Sequence, residues 1–190
     1  LDADARKYWM QLRERAGVST DIDATIAATD LSKEKDFGVY SGTSMVDVTL
    51  YNIRRERRCE YISEGLRWMD LCRWRAMDQL MVKPYIPEGM HLWNTPMERW
   101  YDNSAGKTTL VYGTSKANVS SPADSEYLLP YRKTTNQLAY DGFVWKMAHY
   151  LDPIRIDQFQ ITSTDGKTIE TSPIYQNPYW PTTADMPAEK

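Results

Sequence analysis

Apolar positions in the first half of the chain recur at helical spacing. Tyr8, Trp9, Leu12 and Ala16 fall on one side of a turn-by-turn repeat that Gly17 stops, which predicts a helix over residues 4–16, one that begins without a convincing cap. Ser19, Thr20 or Asp21 then offers an N-cap for a short helix ending at Ala28. Residues 33–44 read as a loop broken by Gly38 and Gly42. A longer helix is predicted over about 45–63, with Val46, Leu50 and Ile53 on its apolar stripe. Gly65 interrupts it, and a second helix is predicted over about 66–81, with Leu66, Met69, Arg73, Met77 and Leu80 in phase. Two helices joined by so tight a break form a helical hairpin, the unit of helical repeat proteins, although no second copy is visible.

After Val82 the periodicity is lost. Pro84, Pro87, Pro96, Pro122 and Pro130 punctuate a stretch rich in Asn, Ser, Thr and Gly. "KTTLVYG" and "EYLLPYR" are short-strand candidates, "YDGFVWKMAHYL" a short helix, and "FQITSTDGKTIETS" a hairpin across Asp165-Gly166. The expected fold is mainly α: helical over 1–81, then a loop-rich segment with short strands and helices over 82–190, packed on the helices as one domain. The chain opens in the middle of a helical pattern, so it is expected to be part of a larger protein.

The helical half carries an unusual charge pattern. "RRERRCEYISEGLRWMDLCRW" (54–74) holds six Arg, three Glu and one Asp interleaved with Tyr, Ile, Leu, Met and Trp. A nucleic-acid helix would leave its arginines uncompensated, and here carboxylates stand among them. A solvated lattice would explain the charges but not the interleaved aromatics. The reading preferred is a partly buried ion-pair network of Arg57, Glu60, Glu64, Arg67, Asp70 and Arg73, in which planar Arg forks meet carboxylates. Glu60 and Glu64 lie four apart, and paired carboxylates do carry glycoside hydrolysis. Among so many arginines they are more simply neutralised than poised for catalysis.

Composition narrows the classes further. A net charge of −3 argues against general nucleic-acid binding. Cys59 and Cys72 form no CxxC, His91 and His149 are isolated, and no HExxH, GxSxG or GxxxxGK[ST] occurs, so no metal, cofactor or catalytic residue is expected. No apolar run reaches the roughly 18 residues of a membrane span, and no signal peptide opens at Leu1. The aromatics are 7 Trp and 13 Tyr against 3 Phe, which suits half-wet positions: either rings pinning loops to the surface, or a platform for sugar rings.

The stretch from Leu50 to Leu80 resembles the C-terminal signature of the SusD/RagB family of nutrient-binding outer-membrane lipoproteins of Bacteroidetes. The residues that carry the likeness are Glu56, Arg57, Arg58, Glu60, Glu64, Gly65, Arg67, Asp70, Leu71, Arg73 and Trp74, with Tyr61 in place of the usual Leu. "RERAG" at 13–17, "YLLPY" at 127–131 and "YQNPYW" at 175–180 are similar to further family segments, and Tyr179 stands where Gly is usual. The resemblance covers essentially the whole chain and about the last third of such a protein. It implies a SusD-like, tetratricopeptide-like fold on the outer face of the outer membrane. It implies binding of a glycan or other nutrient without cleavage, and delivery to a SusC-like TonB-dependent transporter. The lipid anchor that would tie the protein to the membrane lies outside this chain, since Cys59 and Cys72 sit mid-helix. Two other roles compete: a glycan hydrolase or lyase using Glu60 or Glu64, and a purely structural portion of a binding protein. Any ligand contact is expected from the loop aromatics Trp93, Trp100 and Tyr101, with Asn94, Asp102 and Asn103 bonding sugar hydroxyls. The same rings could instead anchor the loop.

Overall fold

The computed structural model describes residues 1–190. It is mainly helical, 38% helix against 5% strand, so almost all regular backbone bonding is local. The helices are α1 (Ala3–Arg15), α2 (Ile22–Ala27), α3 (Val48–Glu60), α4 (Leu66–Arg73), α5 (Gln79–Val82) and α6 (Ile156–Thr162). A two-residue antiparallel pair, β1 (Tyr40–Ser41) and β2 (Ser44–Met45), is the one sheet, with Tyr40 opposite Met45. All of it but Met45 lies in the stretch the sequence reads as loop.

Carboxylates start the first three helices. Asp2 accepts from the Ala5 amide at 2.7 Å, so α1 does begin with a cap, and Asp21 accepts from Ala24 at 2.9 Å to open α2. Asp47 starts α3 in the same way, accepting from Thr49 at 2.8 Å, which holds its carboxyl below the usual range. Gly65, at φ 74, turns the chain between α3 and α4, a conformation that suits glycine.

The hairpin helices are shorter than the periodicity predicts. α4 stops at Arg73 because Arg75 takes the left-handed conformation, φ 53, and the chain resumes as a 3₁₀ turn and the one-turn α5. The buried face also differs. Tyr51, Asn52 and Arg54 are the buried residues of α3, whereas Leu50 and Ile53 of the predicted stripe are 42% and 38% exposed. On α4 the buried residues are Asp70 and Leu71, and Met69 is exposed. Polar groups with fold partners are inside, and part of the apolar stripe is outside.

The predicted strands shrink to single bridges, Asp102 with Thr108 and His91 with Tyr127. Side chains occupy the positions a ladder would need: Asn118 Oδ1 accepts from the Val111 amide at 2.8 Å, and Ser120 Oγ from Leu129 at 2.9 Å. The hairpin expected at Asp165-Gly166 is a helix followed by a turn. Asp165 accepts from the Thr168 hydroxyl and from the amides of Thr168 and Lys167 at 2.7 and 2.9 Å, and these bonds, the hydroxyl's foremost, push its carboxyl well below the usual range. The helix expected near residue 147 is one 3₁₀ turn, Met147–Tyr150.

The backbone divides into two compact units, one of Leu1–Gln79 with Tyr150–Lys190 and one of Leu80–His149. The loop-rich segment expected as one piece over 82–190 is therefore shared between them. In the first unit the tail is clasped to the segment before α6. Gln176 pairs with both backbone groups of Ile154, accepting at 2.8 Å and donating at 2.9 Å. Asn177 Nδ2 donates to the Asp152 carbonyl at 2.7 Å, and Trp180 Nε1 to Leu151 at 2.7 Å. In the second unit the core is Leu92, Trp93 and Val119, with Met97, Leu110 and Leu128 against it. Gly142, at φ 95, lies where an added Cβ would meet the Tyr85 carbonyl at 3.0 Å, which leaves room for glycine alone.

Candidate functional site

Two features of this chain could carry function: the charged helices of the first unit and the loop cavities of the second. In the first, buried carboxylates each gather two arginines. Asp70 accepts from Arg57 Nε at 2.7 Å and Arg73 Nη2 at 2.8 Å, and its side chain is 6% exposed. Asp36, 4% exposed, accepts from Arg58 at 2.7 Å, from Arg67, and from the Gly38 amide at 2.9 Å. Arg54 is buried without a carboxylate. It donates instead to the Gly38 and Tyr40 carbonyls at 3.0 and 2.9 Å and lies 4.2 Å from the Trp74 ring centre. Burial lowers its pKa from the ordinary arginine value, with Arg67 adding to the effect.

Of the six network residues read from the sequence, Asp70 is one of these two carboxylates, and three, Arg57, Arg73 and Arg67, pair with them. Glu60 pairs with Arg15 of α1 rather than with the hairpin, and Glu64 is exposed at the break with no ion pair. Asp36 was not among the candidates. Its one signal is its place two residues before Gly38, where a carboxylate caps the next 3₁₀ turn. A groove of about 600 Å³ runs between α1 and α3, and most of its charged groups are already engaged, Arg15 with Glu60, Glu56 with Arg13 and Arg57 with Asp70, while the exposed Glu64 on its lining has no ion pair.

In the second unit, Thr95 caps the 3₁₀ turn Pro96–Tyr101, accepting from Met97 at 3.2 Å and donating to the Leu92 carbonyl at 2.7 Å. The proline presets the first turn. The turn stands on the buried Leu92-Trp93 pair and presents Trp100 outward, 75% exposed. Tyr101 forms part of the wall of a cavity of about 340 Å³ with an apolar floor including Leu110, Val119 and Leu128. Asn118 shapes the rim, its Nδ2 donating to the Thr109 carbonyl at 3.0 Å. Size and lining suit a small polar ligand with one apolar face.

The six predicted contact residues are thus divided by the fold. Trp100 and Tyr101 are presented. Trp93 is not: it is 5% exposed and edge-packed on Tyr112 at 5.2 Å, because the segment before Thr95 is core rather than loop. Asn103 is occupied in its own turn, accepting from Ala105 and Lys107 at 2.9 and 3.1 Å. Asn94 donates to Glu126 at 3.2 Å, and Asp102 is exposed at the Thr108 bridge. Lys133, in the cavity wall, is not among the six, since a turn has no periodicity to single it out.

The family model of the SusD family matches residues 1–180. The chain belongs to the SusD family. No curated protein and no solved structure matches it. SusD-family proteins are generally nutrient- or glycan-binding surface proteins without catalytic activity, typically associated with the outer membrane. No helix of this chain is long and apolar enough to cross a membrane.

Proposed function

We propose that this protein binds a glycan or related nutrient at the outer face of the outer membrane, leaves it uncleaved, and passes it to a SusC-like TonB-dependent transporter. The parent protein would be held there by a lipid anchor. The family match over residues 1–180 carries the reading. The exposed Trp100, next in sequence to Tyr101 of the cavity wall, supports it, because an exposed flat ring and a hollow with polar groups in its lining offer a sugar stacking and hydrogen bonds. The Asp70 and Asp36 ion-pair sets are read as structural: each carboxylate is saturated by guanidinium groups and has no free edge toward a substrate.

The test is a glycan array probed with the full chain, followed by incubation of every bound glycan with the protein and assay for new reducing ends or unsaturated products. Binding without product supports the proposal. Product formation abolished by Glu60→Gln or Glu64→Gln would replace it with a hydrolase or lyase. Recovery of a TonB-dependent transporter with the protein from its own membranes tests the delivery step.

A further inference from the structure

We propose that the second unit is built for an acidic saccharide, with Lys133 and Arg132 holding a carboxylate on the sugar. The inference rests on the glycan-binding reading and names the class of glycan.

Lys133 borders two cavities. It is the one charged side chain around the 340 Å³ cavity walled by Tyr101. It also lines a second, of about 380 Å³, with Arg132 and Asp124, so two cations face one carboxylate there. The rest of that lining is dominated by hydroxyls, among them Thr114, Ser115, Ser121 and Thr135. No ion pair of the fold reaches Arg132 or Lys133, whereas the arginines around Asp36 and Asp70 are each matched to a carboxylate. The backbone that carries the two cations is held by its own turn. Gln137 Oε1 accepts from the Lys133 amide at 2.6 Å, and the Arg132 amide donates to Leu129 at 3.0 Å. The Arg132 guanidinium lies 4.8 Å from the Tyr140 ring centre, and its Nε is buried with no acceptor.

Arg132 is half-buried and no carboxylate of the fold pairs with its guanidinium, which leaves the terminal N–H donors at the cavity for a counter-charge. A carboxylate fits the planar fork of Arg better than any neutral group does. Neighbouring hydroxyls and the Tyr101 ring suit the rest of a sugar. A hexuronic acid unit supplies all three: an anionic edge, hydroxyls and an apolar ring face.

The experiment compares the full chain with its Lys133→Gln variant on an array of neutral, uronate-bearing and sulfated glycans, then by calorimetry on the best binder. Lys133 is exposed, and an unchanged melting curve will establish that the variant is folded. The expected result is preferential binding of uronate-bearing glycans that weakens with added salt. Loss of one charge-assisted contact should cut affinity about tenfold in Lys133→Gln, and methyl esterification of the uronate should do the same to the wild type. Arg132→Gln should lose at least as much where it folds. Uronate binding unchanged in Lys133→Gln overturns the proposal. So does a wild type that binds only neutral or only sulfated glycans, an outcome that leaves the glycan-binding reading standing. Binding to no glycan at all overturns both.

Discussion

The Tyr150 hydroxyl donates a 2.7 Å hydrogen bond to Asp78, joining positions 72 residues apart. The other Asp78 oxygen accepts from Arg75 at 2.5 Å. Arg75 is the residue whose left-handed backbone ends the second hairpin helix, so the break in that helix and the return of the chain to the first unit meet at one buried carboxylate.

That contact has a pH signature. Burial, then the Asp78 bond, raise the Tyr150 phenol above its ordinary value, and Tyr51 is raised by burial and its 2.7 Å bond to Glu34. A phenol whose folded pKa exceeds its unfolded value of about 10 stabilises the fold fully below that pH, and loses the contribution as pH climbs toward the folded value. Urea midpoints should therefore fall at alkaline pH. Tyr150→Phe should cost about 1–2 kcal/mol at neutral pH and make the alkaline fall shallower. An equally steep fall in the Tyr150→Phe, Tyr51→Phe double variant would show that other groups control it.

Among the helix charges, removal of Asp36 should matter and removal of Glu64 should not. Asp36→Ala strands Arg58 and Arg67, whose side chains are 41% and 31% exposed. Solvent tempers the penalty, so the expected loss is about 2 kcal/mol rather than the full cost of breaking a buried pair. Glu64 is exposed and makes no ion pair, and its change to Ala should stay within about 0.5 kcal/mol. Thermal melts of the two variants decide this, and equal losses would mean that Glu64 has a partner in solution.

Tyr179 holds φ 68, and its carbonyl accepts from the Glu189 amide at 2.9 Å. The sequence resemblance places glycine here, and the backbone has the conformation glycine tolerates best. Tyr179→Gly relieves left-handed strain but loses unfolded-state stiffness and the Lys190 contact to the ring, 5.6 Å from its centre. The net expectation is a stability unchanged or slightly raised, by about 0.5 kcal/mol at most, read from urea midpoints. A loss beyond about 1 kcal/mol would make the ring, and not the backbone, the reason for Tyr179.

The order of helices then loops, and the family itself, were legible because helical spacing and an ordered motif are local properties of the chain. The phase of the third helix was not. Leu50 and Ile53 read as core, yet Tyr51 and Arg54 are buried, because Glu34, Gly38 and Tyr40 lie distant in sequence and supply the partners that make burial of polar groups tolerable. The strands failed for the same reason: Asn118 and Ser120 take bonds that local propensity assigns to a ladder. Trp93 and Trp100 look alike in sequence, and only the Thr95 cap, which starts a turn between them, separates core from surface.

Those two tryptophans give the sharpest test of where the ligand lies. Trp93 is 5% exposed within the Leu92-Val119 core, so Trp93→Ala should remove about 3 kcal/mol of stability through the cavity it leaves. Any weakening of glycan binding it causes should follow the fraction unfolded. Trp100 is 75% exposed, and Trp100→Ala should leave the melting curve within about 0.5 kcal/mol. If a sugar face stacks on that indole, the same variant should weaken binding about tenfold, the size of a single aromatic anchor in a contact surface. Calorimetry on both variants in the full-length protein, at a temperature where each is folded, separates the two effects. Full affinity in a folded Trp100→Ala would remove this turn from the binding surface and leave ligand recognition to the cavity edge at Tyr101 and Lys133.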